Sequence, residues 1–342
     1  PDKGGVIGGL EWFGLNGVRF EPNPAYAATI PHQAFMAFQM MFAIITPALI
    51  SGAFAERMKF KTFLVFILLW ATLVYDPLAH WVWGSGGWLR NLGALDFAGG
   101  IVVHISAGVA ALTAAIVFGK RLGFGKEPME PNSIPYVILG AGLLWFGWFG
   151  FNAGSALSAG GLAVNALIVT NTAGAIGALT WMTLTWLFGG KPSVVGMATG
   201  AVVGLAAITP ASGYVTAMAA IIIGMSAGIL CFLACRLRAR WGLDDSLDVW
   251  GCHGIGGTIG VLAAGLFATK LINPGGANGL FYGNPNQFLV QLLAVAVTWV
   301  FSFVMTWIIL KVLDALMGLR VSENEETRGL DLAQHGETAY AE

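Results

Sequence analysis

DFAGGIVVHISAG, residues 96–108, opens an apolar run that continues to about residue 118 and holds one histidine, His104. No Asp, Glu, Lys or Arg follows Asp96 until Lys120. A run of this length crosses a hydrocarbon core of roughly 30 Å as a helix. Comparable runs recur at about 32–55, 61–82, 134–152, 161–188, 193–208, 214–235, 252–270 and 288–318. With 97–118 they make nine candidate spans, separated by turn and charge signals such as Glu56 to Lys61, Gly119 to Pro135 and Asn273 to Asn286. The expected fold class is an all-α integral membrane protein, a polytopic helical bundle.

Composition points the same way. Of 342 residues, 56% are hydrophobic and 10% charged, against about 25% charged in a soluble domain. Mean hydropathy is +0.74. The net charge of −1 gives no reason to expect a nucleic-acid partner. The 48 glycines are about twice the usual share, and small residues let membrane helices approach closely. Cys231, Cys235 and Cys252 are an odd count without metal-ligand spacing, so they read as packing residues. No cofactor or metal is expected.

Lysine and arginine favour the cytoplasmic side. With residues 1–31 outside, 13 of them fall on inner loops and the tail, and four (Lys3, Arg19, Arg90 and Lys270) fall outside. The expected division is an extracytoplasmic segment 1–31, a transmembrane domain 32–318, and a cytoplasmic regulatory tail 319–342. Residues 1–31 lack a basic start followed by an apolar stretch, so no secretory signal is expected. The chain opens at Pro1 without a methionine, as an excerpt or a mature form would.

A second stretch mirrors the first. Asp96 precedes His104 by eight positions, and Asp245 precedes His253 by eight; DVWGCHGIGGTIG, 248–260, is again glycine-rich. The charge argument has the first span entering from outside and the second from inside. Eight helical residues rise about 12 Å, so each histidine is expected near the midplane, as in an inverted repeat with its site at the meeting of the halves. An ionisable residue at that depth is costly and by default faces a cavity or pathway. A single buried histidine is explained as well by a hydrogen bond to a neighbouring helix; two at mirrored depths favour a path. Asp96 is expected to cap its helix through backbone N–H groups, as are Asp244, Asp245 and Asp248 at the inner start of the later span. His32 and His80, near outer span ends, and His335, in the tail, are assigned no transport role.

The motifs as a set resemble the family of ammonium transporters, methylammonium permeases and Rhesus proteins. They are DFAGGIVVHISAG (96–108), AHWVWG (79–84), GWFGFNAGSA (147–156), DDSLDVWGCHG (244–254) and the tail GLRVSENEETRGLDLAQHGETAYAE (318–342). The tail resembles the bacterial transporter branch. The resemblance implies a homotrimer in the lipid bilayer of the plasma (inner) membrane, with one narrow pore per subunit and eleven spans. Nine are found, so the first two of the family's spans are expected to precede Pro1, an even number that keeps the outer start.

The resemblance also implies roles. Phe38, Phe42 and Trp83, with the Ser155 hydroxyl, would form an outer site for ammonium, or its analogue methylammonium. Cation–π attraction there is worth about 0.5–2 kcal/mol per ring. Phe38 and Phe42 are four apart and share a helix face. Aromatics at span ends also form interfacial belts, the reading preferred for Trp81 and Trp88. Phe42 and Phe151 would be a stacked phenyl gate. Below it, His104 and His253 would share a hydrogen bond and pass ammonia after ammonium is deprotonated, with or without coupled proton transfer. Asp96 would support the substrate site structurally. The tail would pack under the pore and meet a PII-type nitrogen regulatory protein; composition alone would also allow a disordered terminus.

Other readings are a gas channel or ammonium sensor of the same fold, although no added signalling domain follows Gly318. A membrane cytochrome with bis-histidine haem ligation leaves the vestibule aromatics and mirrored aspartates unexplained. A hydrolase would need a GxSxG nucleophile elbow or an HExxH pair: no HExxH occurs, and the GxSxG match GMSAG, 224–228, lies inside an apolar run rather than at a strand-to-helix turn. The chain is not expected to be an enzyme.

Overall fold

The computed structural model describes residues 2–338 and Tyr340; Pro1 and the tail residues Ala339, Ala341 and Glu342 lie outside the described residues. The strands among them are a two-residue antiparallel pair, β1 Asp2–Lys3 and β2 Ile7–Gly8. The helices are α1 His32–Ile50, α2 Phe60–Trp70, α3 Asp76–Trp83, α4 Trp88–Asn91, α5 Ser106–Phe118 and α6 Ile134–Gly154. They continue with α7 Gly161–Gly189, α8 Val194–Ile208, α9 Ala217–Arg240, α10 Gly256–Phe267, α11 Pro285–Met317 and α12 Glu323–Arg328. π-helical turns at Ala71–Tyr75, Gly100–Ile105 and Trp250–Ile255 join or extend them.

Local signals set the ends. The Ser133, Ser193 and Thr216 hydroxyls accept the first backbone N–H groups of α6, α8 and α9. Pro135 and Pro285 stand in first turns, where a missing N–H costs nothing. Gly190, left-handed at φ 77°, stops α7.

Among the described residues, eight helical segments are long and apolar enough to cross a membrane. They follow the expected spans, and the chain is an all-α polytopic bundle. The ninth, α8, has 15 residues, about 22 Å and short of a full crossing. The turn after it, 209–213, is buried rather than on the surface as its turn signals suggested. Irregular backbone at membrane depth is tolerated where protein covers it. Here Pro210 O accepts Phe97 N–H at 3.0 Å, tying the turn to the start of the His104 span.

The two histidine spans are built alike. Each begins with an aspartate-capped loop, passes through a six-residue π-helical turn holding the histidine, and ends in α5 or α10. Gly257 lies against His104 and Ile105 while Gly254 lies against Gly108, so the two spans run in opposite directions. A Cβ on Gly108 would run into the Gly254 backbone. The expected 12 Å α-helical rise from aspartate to histidine is not realised: 96–99 is a loop, and helix begins only at Gly100.

Candidate functional site: an aromatic vestibule above a buried histidine pair

Phe38, Phe42, Trp83, Asp96 and Ser155 line one cavity of about 510 Å³. Phe38 and Phe42, one turn apart on α1, meet edge to face at 4.9 Å. Phe42 also meets Trp83 at 5.5 Å and Phe151 at 4.7 Å. The Phe42–Phe151 planes stand at 70°, so this pair is crossed rather than stacked. An edge-to-face contact is a favourable arrangement for two quadrupoles, and Phe42 brings it to the edge of this cavity.

Asp96 holds the vestibule wall. Its two carboxylate oxygens accept N–H groups from Gly99, Gly100, Ile101 and Val102 at 2.6–3.2 Å. Its carbonyl accepts the Trp83 indole N–H at 2.8 Å. One residue therefore caps the His104 span and sets the Trp83 ring. The Ser155 hydroxyl donates to Phe151 O at 2.9 Å, and the residue lines the same cavity.

Past Phe151 the rings continue. His104 stacks on Phe151 at 5.8 Å and on Trp148 at 5.5 Å. His253 lies beyond, with Nδ1 to Nδ1 at 3.2 Å. Both imidazoles are buried, and they border a second cavity of about 450 Å³ lined mainly by apolar side chains. A proton on one Nδ1 requires the other Nδ1 to be bare, and a neutral ring with bare Nδ1 carries its proton on Nε2. If both rings are neutral, one Nε2 is therefore a donor and the other an acceptor. Among the described residues His104 Nε2 is buried without a hydrogen-bond partner. That set suits a small neutral molecule that both donates and accepts.

Of the expected inner caps, only Asp245 performs that job, taking Trp250 N–H at 2.7 Å. Asp244 instead pairs with Arg121 at 2.9 Å, and its carbonyl accepts Arg57 at 2.6 Å. Asp248 pairs with Arg238 at 2.8 Å. Charged partners on a neighbouring loop and on the end of α9 outcompete the local N–H groups. His32 is buried against Trp12 and Tyr26 rather than reaching water. His80 pairs with Asp2, and His335 packs on Phe60. Trp81 is buried against Phe301, with its N–H on Val6 O, and does not face an interface. The three cysteines are buried and free.

Sequence reasoning assigned nothing to Trp148, Tyr26, Tyr214 or Gln291. Trp148 had a signal, since it lies one turn before Phe151 on the same face. Tyr26 and Tyr214 reach the vestibule from distant loops, which no local pattern announces.

The fold is that of a multi-pass helical membrane protein with an aromatic-lined cavity near two buried imidazoles. The comparisons give the family. The sequence model of the Ammonium Transporter Family matches residues 4–340, and the chain belongs to that family. It is 54% identical over 336 residues to the ammonium transporter of Bacillus subtilis (strain 168), covering 98% of this chain and 82% of the relative. It is 51% identical to ammonium transporter Amt1 of Archaeoglobus fulgidus, covering 99% and 83%. The crystal structure of Saccharomyces cerevisiae Mep2 superposes with a TM-score of 0.88 at 37% identity, over 94% of this chain and 73% of that one. A structure titled Sensor Amt Protein superposes at 0.86 with 30% identity, over 97% and 84%.

Proposed function

We propose that this chain transports ammonium across the plasma (inner) membrane, N-terminus outside and C-terminus cytoplasmic. Ammonium is recruited at Phe38, Phe42, Trp83 and Ser155, gives up a proton near the Phe42–Phe151 gate, either to outer water or to the imidazole pair, and passes as ammonia along His104 and His253. The observation that carries this reading is the unbroken succession from an aromatic cavity, through one phenyl contact, to a 3.2 Å imidazole pair. An intact ion entering a dry segment would bear a large desolvation penalty, and neutral ammonia far less. The vestibule rings attract the cation, and the donor–acceptor pair of Nε2 atoms matches the neutral molecule. Working assembly is a homotrimer, and a PII-type nitrogen regulatory protein docks at the cytoplasmic tail.

The test is an ammonium-jump current in proteoliposomes, for the wild-type chain and a His104→Ala, His253→Ala double variant. The expected result is a current that ammonium evokes and potassium does not, reduced or less selective in the variant. Ammonium-evoked current marks coupled proton movement; electrically silent uptake marks passage of ammonia alone. The likeness to a sensor Amt supports a second reading, ammonium sensing. Ammonium binding without uptake of either kind would favour it.

A further inference from the structure

Gln291 is a fully buried amide in the second turn of an apolar helix, α11. Its Oε1 accepts Leu95 N–H at 2.7 Å, and its Nε2 donates back to Leu95 O at 2.7 Å. This two-point contact matches one residue's backbone as a neighbouring strand would. The same Nε2 donates to Val261 O on α10 at 3.1 Å. Oε1 also accepts Gln287 Nε2 at 3.4 Å, and Gln287 donates to Gly93 O at 2.9 Å. Gly265 gives the side chain its room: a Cβ there would stand 3.0 Å from Gln291 Cγ.

The amide therefore ties three parts together: the loop before Asp96, the span that carries His253, and α11. A buried side-chain amide between membrane helices persists only when its hydrogen bonds are met, and these are. Leu95 adjoins Asp96, whose carboxylate caps the His104 span and whose carbonyl holds Trp83. Moving Leu95 would move the vestibule wall and the entrance to the histidine pair together.

We propose that Gln291 is a positioning residue of the conduction path, setting where the Asp96 loop sits against the His253 span. This rests on the transport reading above. The test compares full-length wild type, Gln291→Leu and Gln287→Leu by hydrogen exchange in detergent and by ammonium currents in proteoliposomes. The expected result for Gln291→Leu is exchange about tenfold faster, the scale of one or two lost hydrogen bonds, within residues 93–103. The rest of α10 and α11 should stay protected. The ammonium concentration for half-maximal current should rise about fivefold or more. Gln287→Leu, which removes the Gly93 contact and the longer one to Gln291 Oε1 but leaves both Leu95 bonds, should loosen the same segment about twofold.

Unchanged exchange and half-saturation in Gln291→Leu would overturn the proposal. So would uniform loss of protection across the bundle, which marks general packing. If Gln291→Leu does not fold, Gln287→Leu decides: an unchanged 93–103 segment overturns the proposal. Exchange tests the positioning even if the wild type carries no current, so failure of the transport reading stays distinguishable.

Discussion

Single residues here act through what they hold. Asp96 is buried and saturated by four backbone N–H groups, so it is a structural anion before it is anything else. Asp96→Ala would strand those donors at about 1–3 kcal/mol for each one left unsatisfied. The expected outcome is a poorly folded protein, read as loss of a monodisperse peak and a lower Tm. Asp96→Asn keeps an acceptor and should fold at reduced stability. Phe42 is different, since it touches Phe38, Trp83 and Phe151 at once. Phe42→Ala should leave the fold intact, because the deleted ring borders a cavity. It should let water and small cations past the gate, so that potassium begins to evoke current. A variant that stays fully ammonium-selective would remove Phe42 from the gate. The sequence made Asp96 legible through its spacing to His104, but not the second bond from Asp96 O to Trp83, which depends on two segments folding back.

At the scale of elements, the two histidine spans decide the geometry. Their glycines were visible as composition, and their role is contact: Gly108 and Gly254 bring two antiparallel spans to backbone distance. Gly108→Val has nowhere to put its side chain. Overpacking costs about 1–3 kcal/mol or more, and the imidazole pair should separate. The expected measurement is loss of folded protein, or, where some folds, ammonium current as low as in the histidine double variant. The π-helical turns were not legible. A widened turn arises where tertiary contacts re-aim a side chain, and such turns often mark functional sites. The aspartate-to-histidine spacing was real, but the α-helical rise inferred from it was not.

At the scale of the whole molecule, charges gather at the end of the bundle where the loops holding Arg57, Arg121 and Asp244 meet. Arg121 pairs with Asp244 and Glu56, and Arg57 lies against Asp244. Burial pushes the Asp244 carboxyl up, but the Arg121 hydrogen bonds and the Arg57 and Arg121 charges outweigh it, leaving the group below the usual carboxylate range. A depressed folded value means stability present above the unfolded value, about 4, and lost as pH falls through the lower folded one. Hydrogen exchange of 241–249 should therefore be flat from pH 7 to 5, after correction for intrinsic rates, and rise only below about pH 4. Asp244→Asn should show the loosened loop already at pH 7.

The tail closes over the same region. Glu326 pairs with Arg320 and accepts Leu122 N–H, Arg320 reaches Phe118 O, and Val321 N–H bonds to Arg57 O. Glu326→Ala should release it, seen as faster proteolysis within 318–338. Deleting residues 320–342 should abolish binding of a PII-type protein; binding that persists would remove that role from the tail.

The sequence by itself determined the membrane class, the helical segments and the two histidines worth watching. Those follow from run length, charge scarcity and the price of an ionisable group in hydrocarbon, all of which are local. Only the tertiary structure decided that α8 stops short, that Asp244 leaves its helix for Arg121, and that Gln291 reaches Leu95. It alone set the imidazoles Nδ1 to Nδ1. Those depend on partners up to 196 positions apart, and a hydrogen bond is directional. Its existence is settled by where two backbones come to rest, not by what either segment contains.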